Sequence, residues 1–279
     1  KNDLDVWLEN RGIIGLSGID TRALTSFIRD NGMINGVIAH SKDGIFEVDD
    51  LIRKAKIWKG LIKSDLATKS STNQSFSWDE GQWIWPDGYK NNKGIKSVVV
   101  IDYGVKRNIL RNLVSAGLKV TVVPSSLSAS EILSLRPDGV VLSNGPGDPE
   151  ATGIKAIPVI QDIISANIPV LGICLGHQML ALALGAKTIK MNQGHHGANH
   201  PVKDYTTNKV EIVSMNHGFA VDANSLPKNV EETHVSLFDG SNCGIQLKGK
   251  PVFSVQHHPE ASPGPRDSFY LFERFAAAL

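Results

Sequence analysis

Cysteine is scarce in this sequence: Cys174 and Cys243 are the only two in 279 residues. Two isolated thiols make no disulfide framework and suit a reducing compartment, which points to the cytoplasm. Neither sign of charge is in excess, with 29 basic against 28 acidic residues and a net charge of +1. That balance gives no electrostatic case for nucleic acid or for an anionic membrane surface. No apolar run approaches the ~20 residues of a membrane span; the longest candidate, Ile168 to Gly176, falls far short. The N-terminus, KNDLDVWLEN, lacks the charged-then-apolar order of a signal peptide. It also lacks an initiator Met, so the expectation is the remainder of a longer protein. No Gly-x-x-x-x-Gly-Lys-Ser/Thr phosphate loop occurs, which places any ATP chemistry on another polypeptide.

What is present has ordinary globular proportions, 41% apolar and 20% charged. At this length roughly two domains are expected. Asp79 to Lys96 is rich in Gly, Asn, Lys and Trp, has no sustained period, and reads as a boundary. The expected division is a small first domain over 1–84, a linker over 85–96 and a larger domain over 97–279. In the first part, strands are expected at Gly12 to Leu16 and Gly36 to His40. Between them Asp20 caps a helix, Leu24, Phe27 and Ile28 line one face of it, and Asn31-Gly32 stops it. Asp20, Thr21 and Arg22 serve capping better than a surface site.

The larger part alternates. Strands are expected at Val98 to Asp102, Lys119 to Val123, Gly139 to Ser143 and Pro169 to Ile173. Helices are expected at Arg107 to Ala116, Ser130 to Leu135, Ile154 to Ala166 and Gly176 to Leu184. β-branched runs alternating with amphipathic helices predict an α/β fold with a mostly parallel sheet covered on both faces. After Thr188 shorter strands predict an antiparallel extension, and Arg266 to Ala278 a closing helix.

Gly172-Ile173-Cys174-Leu175-Gly176-His177-Gln178 lies where a buried strand meets a helix. Glycines two residues either side of Cys174 permit the sharp turn of a nucleophile elbow. Such a turn sets the sulfur at the carboxyl end of the sheet and at a helix N-terminus, whose partial positive charge favours thiolate. A lone cysteine is more commonly a small buried hydrophobe, but position and flanking glycines favour a nucleophile here. Cys243 has no such surroundings and reads as structural.

A nucleophilic cysteine needs a histidine held by a third group. The strand expected at Pro251 to Val255 ends in Gln256-His257-His258-Pro259-Glu260. Residues two apart on extended chain point to one side, so His258 and Glu260 can pair while His257 projects the other way. Without Cys174 a surface ion pair would be the better explanation; with it, the pairing favours catalysis. Ser143 to Pro149 (SNGPGDP) follows a parallel strand, and Gly145 and Gly147 let backbone N–H groups face outward as an oxyanion hole requires. On pattern alone the segment serves equally as an ordinary strand-to-helix turn. His196 and His200 in Gly194 to His200 (GHHGANH) invite a metal reading, but Gly197 and Asn199 interrupt a helix and no further ligand stands nearby. A structured loop without metal is expected.

GICLGHQ with His258-Pro259-Glu260 resembles the triad-type class I glutamine amidotransferases over roughly Val98 to Leu279. SNGPGDP, GHHGANHPV, MNHGFAVD, SLFDGSNCG, HPEASPGP and, in the first part, GLSGIDTRAL resemble the small, glutaminase subunits of carbamoyl-phosphate synthases. That resemblance implies a flavodoxin-like amidotransferase domain behind a truncated α/β domain. It implies Cys174 as nucleophile, His258 as acid and base, Glu260 as its orienter, and Gly145 and Leu175 as oxyanion donors. Glutamine would be held by Gly145, Gly147, Leu175, Gln178, Asn216, Gly218 and Phe219. No cofactor is expected on this chain; ATP and Mg would belong to a large partner subunit that takes ammonia through a tunnel. The pair, a heterodimer or higher oligomer, would make carbamoyl phosphate for arginine and pyrimidine biosynthesis.

Overall fold

The computed structural model describes residues 3–92 and 94–279. The chain divides into two compact units, Lys1–Leu61 and Ile62–Leu279.

The first unit holds helices α1 (Leu4–Glu9), α2 (Thr21–Asn31) and α3 (Val48–Ile57). Asp20 caps α2 as its sequence predicts, its carboxylate accepting from the Ala23 N–H at 2.8 Å, and Gly32 ends it at φ 78°. Asn35 ties the loop after α2 to the end of α3, donating to the carbonyls of Ala55 and Trp58. The strands expected at Gly12 to Leu16 and Gly36 to His40 are not formed. A strand needs a neighbour for its N–H and C=O groups, and among the described residues this unit pairs none.

The second unit begins with a strap that includes helix α4 (Ala67–Ser70), then β1 (Phe76–Trp78) and a hairpin, β2 (Glu80–Ile84) and β3 (Gly88–Asn91). The boundary expected over 85–96 therefore lies earlier, at Leu61/Ile62. Its turn-rich sequence is the hairpin itself. Glu80 pairs Arg111 at 2.7 Å, Gln82 N–H donates to Ser115 Oγ, and β1 adds to the edge of the main sheet. Ala67 is fully buried in the core.

Five parallel strands form the centre of that sheet: β4 (Lys96–Asp102), β5 (Leu118–Pro124), β6 (Gly139–Leu142), β7 (Val170–Ile173) and β12 (Val252–Val255). Antiparallel β8 (Thr188–Asp204), β9 (Lys209–Val221), β10 (Val230–Ser236) and β11 (Asn242–Leu247) extend it, in the order β1-β5-β4-β6-β7-β12-β11-β10-β8-β9 among the described residues. Two of the antiparallel strands are long: β8 and β9 pair from Thr188↔Val221 to Asp204↔Lys209. The GHHGANH segment, expected as a loop, is part of β8, with register shifts between Lys190 and His195 and between Gly197 and His200.

Helices α5 (Arg107–Ser115), α6 (Ala129–Ser134), α7 (Pro149–Ser165), α8 (Leu175–Ala183) and α9 (Tyr270–Ala278) cover the sheet. One buried cluster gathers Val99, Ile101, Ile160 and Leu180; the other gathers Val98, Val100, Leu110 and Phe272. Successive β4 residues thus enter opposite clusters, as side-chain alternation across a covered parallel strand requires. No helix among the described residues is long and apolar enough to cross a membrane.

Candidate active site

Cys174 stands between β7 and α8 with φ 54° and ψ −104°. For a residue with a Cβ, this conformation persists only where the surroundings enforce it. They do so by close approach. The Cys174 N–H donates to Val255 O at 2.9 Å and the Gly176 N–H to Ser143 O at 3.1 Å. A Cβ on Gly176 would lie 2.1 Å from Leu142 O, so only glycine lets α8 start this near β6. The thiol, nearly buried, points to Asn216 O at 3.9 Å.

His258 and Glu260 reach the same place from β12. His258 N–H donates to Ser214 O at 2.9 Å, fixing the segment against β9. Its Nδ1 donates to Glu260 Oε1 at 2.7 Å, and it also interacts with Cys174. The pairing does not come from extended chain: residues 259–260 turn, and Ala261 N–H returns to His258 O at 3.1 Å. Burial disfavours the charged imidazole, but Glu260 and then Cys174 outweigh it and push His258 up to about 10. Burial likewise works against the Glu260 carboxylate, and His258 with Lys106 holds it below the ordinary range. Both shifts favour the charged imidazole of His258 beside the Glu260 carboxylate.

Lys106 carries no sequence pattern that marks it, yet it belongs to the site. Its Nζ lies 2.9 Å from Glu260 Oε1 and 2.8 Å from Ala261 O, while Asn108 donates to Glu260 O. The one available signal was position, since both follow the carboxyl end of β4, where open α/β sheets gather their sites. His177 likewise has a place that its sequence does not announce. It is fully buried, its Nδ1 is 2.8 Å from Ser254 Oγ, and burial followed by His217 and His234 pushes it down to about 3. It is a neutral strut joining α8 to β12.

The other expected site residues lie on α8, on the loop after β6 and on β9. Leu175 is the first residue of α8, where N–H groups have no partner within the helix. Gly145 is pressed against β4's end, where a Cβ would meet Tyr103 O at 2.1 Å and Leu175 Cδ2 at 2.9 Å. Gly147 has φ +103° and backs onto Ser64 O. Gln178 is buried, donating through Nε2 to Phe219 O at 2.7 Å and Gln256 Oε1 at 2.9 Å. Asn216, Gly218 and Phe219 run along β9, and His217 Nδ1–H donates to Phe219 O at 2.8 Å. Cys243 is buried with Val202, Val213 and Met215, and burial pushes its thiol far up. Among the described residues, no three His, Cys, Asp or Glu side chains are arranged to hold a metal.

A parallel sheet with a strained cysteine elbow facing a His–Glu pair defines a class I glutamine amidotransferase, and the family model "Glutamine amidotransferase class-I" matches residues 99–278. A second model, "Carbamoyl-phosphate synthase small chain, CPSase domain", matches residues 1–38. The chain is similar to carbamoyl phosphate synthase small chains. That of Mesorhizobium japonicum is 67% identical over 273 residues, 98% of this chain and 69% of the relative. That of Caulobacter vibrioides is 67% identical over 278 residues, 99% and 72%. A Thermoplasma acidophilum structure provisionally assigned as a GMP synthase component aligns with TM-score 0.57 at 26% identity, covering 66% of this chain and 94% of its own. This chain belongs to the carbamoyl phosphate synthase small-chain family, and it is a glutamine-hydrolysing enzyme component.

Proposed function

We propose that this chain hydrolyses L-glutamine through a thioester on Cys174 and supplies ammonia to a large ATP-using subunit that makes carbamoyl phosphate. The observation that carries the reading is His258, shared between Cys174 and the buried Glu260. The Cys174 thiolate adds to the side-chain carbonyl carbon of glutamine, and the N–H groups of Leu175 and Gly145 receive the oxyanion. His258 gives its proton to the departing nitrogen, the C–N bond breaks and ammonia leaves. The neutral imidazole then takes a proton from water as the water's oxygen attacks the thioester. The C–S bond breaks, glutamate departs, and thiolate and imidazolium are restored. Glu260 keeps Nδ1 protonated throughout, so that Nε2 alone exchanges protons.

Gly147, Gln178, Asn216, Gly218 and Phe219 hold the amino-acid end of the substrate. The ammonia passes to the large subunit without release, in a cytoplasmic heterodimer or higher assembly serving arginine and pyrimidine synthesis. The chain carries no cofactor; ATP and Mg act on the partner. The test is Cys174→Ser in the assembled synthase. Glutamine-dependent synthesis and glutamate release should vanish while ammonia-dependent synthesis continues. Loss of both would make Cys174 structural, and retained glutamate release would remove it from catalysis.

A further inference from the structure

One bond between β8 and β9 has no part in the triad. His196 and Asn216 are directly opposed in the β8–β9 register, so their side chains share a face. His196 Nδ1 lies 2.7 Å from Asn216 Oδ1. The backbone carbonyl of the same Asn216 is the one that faces Cys174 Sγ at 3.9 Å. Asn216 thus borders the nucleophile with its main chain while His196 holds its side chain. The place of the ring is made for it: a Cβ on Gly194 would lie 2.5 Å from His196 Nε2 and 2.4 Å from His217 O. Any larger residue at Gly194 would drive the imidazole off.

An amide oxygen only accepts, so the His196 nitrogen facing it carries the proton. With Oδ1 occupied, what Asn216 has left to offer is Nδ2, a donor. We infer that His196 is a positioning residue of the glutamine pocket: it fixes the Asn216 amide so that only its NH2 is available to substrate. An NH2 group recognises an acceptor, so the group it meets is the α-carboxylate of glutamine rather than the α-ammonium. Without His196 the amide is free to turn over and present an oxygen to that carboxylate, which repels it. This inference rests on the reading of the site as a glutamine pocket.

The test uses the whole protein assembled with its large subunit. His196→Ala should raise KM for glutamine about tenfold, the scale of one hydrogen bond to a charged group, and leave kcat unchanged. His196→Asn should restore KM, because its Nδ2 takes the place of the imidazole Nδ1. His196→Gln mimics Nε2 and should behave like alanine, a contrast that a merely structural role would not produce. Nitrogen NMR of His196 should find the proton on Nδ1. An unchanged KM in His196→Ala, equal rescue by Asn and Gln, or an Nε2–H tautomer would each overturn the inference. Wild-type protein that released no glutamate would instead overturn the glutaminase reading, and the tautomer would still decide the His196–Asn216 bond.

Discussion

Lys106 and His258 converge on a single oxygen: Glu260 Oε1 lies 2.9 Å from the ammonium and 2.7 Å from the imidazole. A buried carboxylate is costly unless its charge is met, and here two cations meet it from different elements. Lys106→Met should lower kcat/KM for glutamine about tenfold, less than a fully buried pair would give because the lysine is one-third exposed. Lys106 helps hold the Glu260 pKa down, so its loss lets that pKa rise. The acid limb of the pH–rate profile should then move to higher pH. A profile that does not move would separate Lys106 from the triad.

Gly176→Ala tests the elbow itself. The added Cβ would fall 2.1 Å from Leu142 O and 2.6 Å from Leu142 C, backbone atoms that cannot rotate away. Overpacking of this kind costs about 1–3 kcal/mol. A shift of about 1 Å at a reacting atom costs on the order of a hundredfold in rate. The denaturation midpoint and glutamate release should both fall. Normal values for both would show that α8 can start elsewhere.

The parallel sheet was legible because its strands are covered on both faces, so runs such as Val98 to Ile101 and Gly139 to Leu142 stay apolar without alternation. The boundary was not legible. Residues 62–92 join the second unit through partners distant in sequence: Lys63 N–H to Asp148, Thr72 N–H to Asp102, Gln82 N–H to Ser115. A local reading sees only their turn formers. Gly12 to Leu16 failed in the opposite way, since an apolar run predicts a strand but supplies no neighbour for it. His258 and Glu260 were reached by spacing, though a turn rather than extended chain brings them together. Lys106 left no pattern to detect, because a lysine in a turn is ordinarily a solvated one.

Gln178 holds two groups at once, the Phe219 carbonyl and the Gln256 side chain. Gln178→Leu keeps the volume and removes both bonds; the Phe219 carbonyl keeps its bond from His217, but the buried Gln256 Oε1 is left unpaired at a cost of about 1–3 kcal/mol. Since Phe219 lies on the strand that carries Asn216, KM for glutamine should rise more than kcat falls. A fall in kcat alone would place Gln178 with the triad instead.

Glu211 provides a pH test independent of the active site. It is 6% exposed on β9. Burial first, then Asp204 and Asp267, push its carboxyl up to about 7 against a hydrogen bond with Tyr270 and the charge of Lys209. Its ordinary value is 4.5, so between about pH 4.5 and 7 the folded chain binds more protons here than the unfolded one. Stability therefore falls as pH rises through that window and levels off above it. Glu211→Gln cannot ionise, and it should exceed wild type by on the order of 2 kcal/mol at pH 8, with the difference shrinking as pH falls toward about 4.5. Comparing urea denaturation of the two proteins across that range reads this carboxyl together with the neighbours that interact with it, Asp204, Asp267 and Tyr270. A constant difference would show that Glu211 ionises alike in the folded and unfolded chains.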